Sequence, residues 1–146
     1  MAKILLFGYG NPGRGDDALG PLLVERFRRP QRAHVRVQTD MQLLIEHVTD
    51  LQGCGQVVFA DADVGCAEPF HFSAIQAQQD DSYTSHALTP AALLHVYRQV
   101  YQCDAPAAFL LRIRGYNFAL GDSLSDRAAD NLNAAVRFIN QRVMQS

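Results

Sequence analysis

The chain is poor in cysteine, carries no excess of basic charge and has no long apolar run, and each shortage removes a class of protein. Cys54, Cys66 and Cys103 are an odd number with no Cys-x-x-Cys spacing. They fit reduced thiols better than a disulfide framework or a structural zinc site. A formal net charge of −2 offers no footprint for nucleic acid or an anionic membrane surface. No apolar stretch approaches the roughly 20 residues that span a bilayer. The opening residues lack a secretory leader's charged start, apolar centre and small-residue exit. No Ser/His/Asp or Cys/His nucleophile set is legible: Cys54 sits in a turn, and Cys66 lies past Asp61 without an obvious partner. With 146 residues and no repeat, linker or low-complexity tract, the expectation is one cytoplasmic domain over 1–146.

What is present is organised around Phe7 to Gly20. Four apolar residues, Ile4 to Phe7, read as a strand buried on both faces. Gly8, Gly10, Gly13 and Gly15 follow, then Asp16-Asp17, then Leu19, Leu22, Leu23 and Phe27 at helical spacing. Gly8-x-Gly10-x-x-Gly13 matches the dinucleotide fingerprint, in which a pyrophosphate rests on the following helix N-terminus. Two carboxylates at that N-terminus would repel the pyrophosphate, and so short a pattern recurs by chance. Asp16 reads best as an N-cap of the helix, which leaves Asp17 without a need to cap.

Proline at Pro30 closes the first helix, after Arg28-Arg29. His34 to Thr39 alternate as an edge strand, with Val35 and Val37 inward and Arg36 and Gln38 outward. Asp40 is placed to cap a helix over Met41 to Asp50, with Leu44, Val48 and Leu51 on one face. Val57 to Ala60 form a second buried strand, ending at once in Asp61-Ala62-Asp63, and Pro69 to Ile75 form another. Gln76 to Leu88 show no hydrophobic period and read as a long polar loop. Thr89-Pro90 open a helix striped by Leu93, Leu94, Tyr97, Val100 and Tyr101. Ala107 to Ile113 read as a buried strand, and a last helix from about Ser125 buries Ala128, Leu132, Ala135, Val136, Ile139 and Val143. Strands alternating with helices give an α/β fold with a twisted, mostly parallel five-stranded sheet between helical layers. Ligands in such sheets bind at the carboxyl ends of the strands, beside a switch point.

Two acids fall at that expected crevice, Asp17 after the first strand and Asp61 at the tip of another. His86 lies in the long loop, while His34, His47, His71 and His95 fall in strands and helices and read as packing or surface residues. Two carboxylates and an imidazole make an oxygen/nitrogen metal set that leaves positions open for substrate or water.

Gly8-x-Gly10-Asn11, Asp16-Asp17 and Gly20, then Ala60-Asp61-Ala62, Ser85-His86 and Leu120-Gly121-Asp122-Ser123-Leu124-Ser125, together resemble the hydrogenase maturation endopeptidases. The resemblance runs through nearly the whole chain in order. It implies a three-layer, phosphorylase/hydrolase-like α/β/α domain that removes a C-terminal extension from a nickel–iron hydrogenase large-subunit precursor. Asp17, Asp61 and His86 then stand as the catalytic and metal-contacting positions, meeting nickel delivered with the precursor rather than a tight resident metal. Asn11, Asp16, Asp40, Gln42 and Asp63 are candidate supporting or substrate contacts, Asp16 or Asp63 also as a base. The Asp40 to Glu46 segment and Arg114-Gly115-Tyr116-Asn117-Phe118 depart from the commonest family forms and look closer to the proteases of soluble, NAD-reducing hydrogenases. Three rivals stand beside this reading. One is a non-catalytic chaperone for the nickel-bearing precursor, and another a nucleotide-binding domain. The third is a peptidyl-tRNA hydrolase, whose opening Gly8 to Gly13 resembles but whose His-Asn pair and basic surface do not follow.

Overall fold

A computed structural model describes residues 3–79 and 88–144. Five strands, β1 (Lys3–Tyr9), β2 (Val35–Asp40), β3 (Cys54–Asp63), β4 (Phe70–Ile75) and β5 (Ala107–Arg114), form one sheet in the order β2-β1-β3-β5-β4. All neighbours run parallel except β4 against β5. The helices are α1 (Leu19–Glu25), α2 (Pro90–Tyr101) and α3 (Asp126–Met144), with 3-10 turns at Gly15–Ala18 and Ile45–Leu51. The expected α/β architecture and its five-stranded, mostly parallel sheet are what the chain adopts. None of the helices among the described residues is long and apolar enough to cross a membrane.

The unbroken apolar runs follow from a sheet covered on both faces. Ile4, Leu6, Val58, Ala60, Leu111 and Ile113 pack against α1 and α3 through Leu19, Leu23, Leu132, Ala135 and Ile139. Their strand neighbours Leu5, Phe7, Val57 and Phe59 point the other way, onto Leu93, Leu94 and Tyr97 of α2 and Leu43, Val48 and Leu51. β2 lies at an edge, as its alternation predicts. Thr89 caps α2 by accepting from the Ala92 N–H at 3.1 Å, and Ser125 precedes α3.

Four expectations need correction. Residues 41–50 do not form an α-helix capped by Asp40. Asp40 is still in β2, opposite Tyr9, and only Ile45–Leu51 coil, as a 3-10 turn. The three-residue spacing of Val48 and Leu51 suits that tighter turn, and Leu43 rather than Leu44 fills the core. α1 stops at Glu25, well before Pro30, and Leu22 on it is 38% exposed. On α2, Val100 is 56% exposed, outside the buried stripe. β3 is longer than expected, so Asp61 and Asp63 belong to the strand rather than to a loop.

The sheet and α1 touch backbone to backbone. A Cβ on Gly20 would stand 2.3 Å from the Ala60 carbonyl oxygen and 2.8 Å from that of Tyr9. This brings the start of α1 down onto the ends of β1 and β3, where the two acids lie. Replacing Gly20→Val should therefore cost about 3 kcal/mol or more in urea unfolding. Gly65→Ala is the control: its Cβ meets only the Asp63 carboxylate at 3.6 Å, and it should change stability by less than about 0.5 kcal/mol.

Candidate active site

The crevice is built from the ends of β1, β2 and β3. Gly10, at φ +149°, turns the chain out of β1 so closely that a Cβ there would lie 2.1 Å from the Asp17 carbonyl oxygen. The 3-10 turn then carries Asp17 back over the strand end. Its Oδ2 accepts the Asn11 N–H at 2.7 Å, and Asn11 Oδ1 accepts the Gly13 N–H at 2.8 Å. Asn11 thus shapes the loop.

The amides of this loop have no capacity left for a phosphate. Besides Asn11 and Gly13, the N–H of Gly10 donates to the Asp40 carbonyl, Arg14 to Asn11, Gly15 to Asp122, Asp16 to Asn117 and Asp17 to Arg14. Pro12 has no N–H to give. A pyrophosphate cradle needs free, convergent amides, so the dinucleotide reading of Gly8-x-Gly10-x-x-Gly13 fails on geometry as well as charge.

Asp16 is fully buried and does not cap its own helix. Its carboxylate accepts the N–H of Tyr116 (2.8 Å) and Asn117 (3.1 Å), and both the N–H (2.7 Å) and the hydroxyl (2.8 Å) of Ser125. Burial alone would push its pKa up. The three amides and the hydroxyl outweigh it and hold the group below the usual carboxylate range. A carboxylate so consumed is a poor base and touches no open surface. Sequence local to Asp16 cannot reveal partners a hundred residues away.

Asp61 is the opposite case. Burial, then the neighbouring charge of Asp17, raise it to about 7, against the lesser pull of the Ala62 amide and the Tyr9 hydroxyl. Tyr9 in turn is raised by burial and by Asp61, so it stays a neutral phenol that donates to the acid. The register Gly8↔Ala60 sets Tyr9 and Asp61 level on adjacent strands, and Asp61 faces Arg112 on β5. Arg112 gives its Nη1 to Asp63 Oδ2 at 3.1 Å and its Nη2 to His71 Nδ1 at 3.1 Å. The Gly65 amide and Arg112 together hold Asp63 low. Asp63 is thereby a weak candidate for the base, and Asp61 is the crevice carboxyl poised near neutrality.

On the β2 side, Asp40 Oδ1 accepts the Met41 N–H at 2.7 Å and Oδ2 lies 3.0 Å from His47 Nε2. His47 is 4% exposed and meets the Phe7 ring edge-on at 4.8 Å. Its Nδ1 accepts the Leu44 N–H at 2.8 Å, so the ring proton sits on Nε2 and is donated to Asp40. Gln42 is exposed. His86 lies outside the described residues, and among the described residues no three His, Cys, Asp or Glu side chains group as a metal site. Burial pushes the Cys54 and Cys66 thiols up, which disarms them as nucleophiles. The structure thus joins Asp17 with Asp61 and adds Tyr9, His47 and Arg112. A tyrosine closing a buried strand just before Gly10 was the one sequence signal for Tyr9; His47 and Arg112 gave none.

No protein-family model and no curated protein matches the chain. Solved structures do. The hydrogenase maturating endopeptidase HybD from E. coli superposes with a TM-score of 0.76 at 17% identity, over 98% of this chain and 93% of that one. The [NiFe] hydrogenase maturation protease HycI from Thermococcus kodakarensis gives 0.75 at 19%, over 96% and 91%. A hydrogenase 2 maturation peptidase from a Thaumarchaeota archaeon gives 0.67 at 20%, over 97% of each chain. The chain has the fold of these proteins from end to end.

Two measurements test the two acids. Asp16→Ala strands three buried amides and should cost about 3 kcal/mol or more by urea unfolding; a loss under about 0.5 kcal/mol would contradict its bracing role. Asp61 keeps its proton in the folded chain at pH values where the unfolded chain has lost it. Its contribution to stability therefore falls as pH rises from about 4 to about 7. The melting temperature of Asp61→Asn relative to wild type should rise across that window and stay level above it.

Proposed function

We propose that this chain is a processing endopeptidase that trims the C-terminal extension of a nickel–iron hydrogenase large-subunit precursor once nickel has been inserted. The observation that carries the reading is the pairing of Asp17 with Asp61 at the strand ends of a fold otherwise seen in such proteases. The charge of Asp17 beside the half-buried Asp61 raises the cost of ionising Asp61, and a divalent ion arriving between them would relieve it. The donor set therefore suits a borderline cation that comes with the substrate, and His86 is proposed as the nitrogen ligand. Leu88, two residues after His86 in the sequence, donates its N–H to the carbonyl of Leu43, three residues beyond Asp40. The metal would polarise the scissile carbonyl.

The protein's own share is proton handling and orientation. Asp61, held protonated up to about 7 by burial and by the charge of Asp17, would release that proton as the arriving cation takes its carboxylate. Tyr9 fixes its direction, and Asn11 fixes that of Asp17. The Asp40 to Glu46 segment supports a precursor of the soluble NAD-reducing hydrogenase type, processed in the cytoplasm.

Purified protein incubated with nickel-loaded precursor should shorten it at its C-terminus, read by mass spectrometry. Asp17→Asn, Asp61→Asn and His86→Ala should each slow cleavage at least about 100-fold. Undiminished cleavage by all three removes the metal reading, and a partner bound but left intact makes the chain a non-catalytic chaperone.

A further inference from the structure

The end of β2 remote from the crevice carries a concentration of positive charge that the proposed chemistry does not use. Arg26, Arg28, Arg29, Arg32 and Arg36 stand within residues 25–36 against the single carboxylate of Glu25, in a chain whose net charge is −2. Four of them, with Phe27, Val35 and Val37, line a hollow of about 510 Å³ into which no acid projects. Arg28 is held by Glu25 in two 2.8 Å contacts, and Arg36 donates to the Asp50 carbonyl. The guanidinium groups of Arg29 and Arg32 make no ion pair among the described residues.

The hollow also runs along a strand edge. Val35, Arg36 and Val37 are consecutive, so their side chains alternate between the two faces of the sheet. All three can line one cavity only where the strand edge itself is the wall. β2 is the last strand on that side, bonded to β1 alone; of its outward-directed groups the Val35 N–H is taken by the Arg32 carbonyl at 3.2 Å, and Val37 follows it along the open edge. An apolar floor, a backbone edge and a ring of guanidinium groups suit an extended chain with carboxylates, since edge pairing supplies main-chain bonds and the flanking arginines read acidic side chains. A compact phosphate would leave the edge and the valines unused.

We infer that this edge docks an acidic, extended segment of the polypeptide the chain acts on, added as an outer strand along β2. The inference rests on the proposed processing role for the partner's identity. β2 rises about 3.3 Å per residue, so its far end at Asp40 lies roughly 17 Å from Val35, within reach of the same extended segment. One strand would then hold the substrate by charge at one end and present it to the carboxylates at the other.

A fluorescent octapeptide alternating Glu or Asp with Val serves as probe, read by anisotropy against wild type. Its Gln/Asn counterpart and a version N-methylated at alternate amides are the comparisons. The acidic peptide should bind, and about tenfold more weakly on raising NaCl from about 50 to about 500 mM. Arg29→Gln with Arg32→Gln should weaken it about tenfold, and Arg29→Glu with Arg32→Glu should abolish it. Equal binding of the neutral or the N-methylated peptide, or retention by the Glu variant, overturns the proposal. So does arginine-dependent binding to phosphatidylserine vesicles or to poly-uridine RNA that is tighter than to the peptide. In precursor cleavage the Glu variant should raise KM and leave kcat unchanged. If wild type binds the acidic peptide but cleaves no precursor, the processing role fails while the docking edge stands.

Discussion

The buried carboxylate of Asp16 is the constraint on which the crevice depends. A charge with no solvent contact survives only if its lone pairs are fully occupied, and here four donors from the segment between β5 and α3 occupy them. The bond is reciprocal, because Asp16 and Gly15 return their own amides to the carbonyls of Asn117 and Asp122. The loop after β1 and the loop after β5 are thereby one rigid unit. Ser125 serves twice, giving its hydroxyl to Asp16 and accepting the Ala128 N–H in the first turn of α3. Asp17 is the next residue along, so its position is inherited from this brace.

Two acids thus have opposite charge preferences. Asp16 is stabilised in its charged form by amides, and Asp61, across the crevice from Asp17, is discouraged from charging by burial and by a like neighbour. Asp63, two residues further along β3, is kept ionised by Arg112 and the Gly65 amide. Environment alone sorts three carboxylates into a brace, a carboxyl poised near neutrality and one arm of a surface ion pair. A crevice carboxyl whose ionisation is discouraged in this way is what marks the strand ends as the candidate site.

β2 links the two ends of the molecule. Its last residue, Asp40, is fixed by a neutral, buried His47 beside the crevice, while its first residues border the arginine-lined hollow. An edge strand with opposite charge character at its two ends gives a bound chain both a track and a direction. The net charge of −2 conceals this division, since the basic and acidic groups cancel in the sum and not in space.

Read alone, the residues determine the layer architecture, because apolar runs such as Ile4 to Phe7 bury on both faces and force helices onto each side of a parallel sheet. They also place Asp17 and Asp61 at strand ends, since glycine and aspartate directly following such runs leave little choice. The role of Asp16 could not be read this way: a cap is a local bond, and its real partners arrive from residues 116 to 125. The same holds for the strand state of Asp40, the buried His47 and the spent loop amides, each decided by which distant groups the fold brings within hydrogen-bonding distance. Local pattern fixes what a segment can become, and only long-range packing decides which of its polar groups are left free to act.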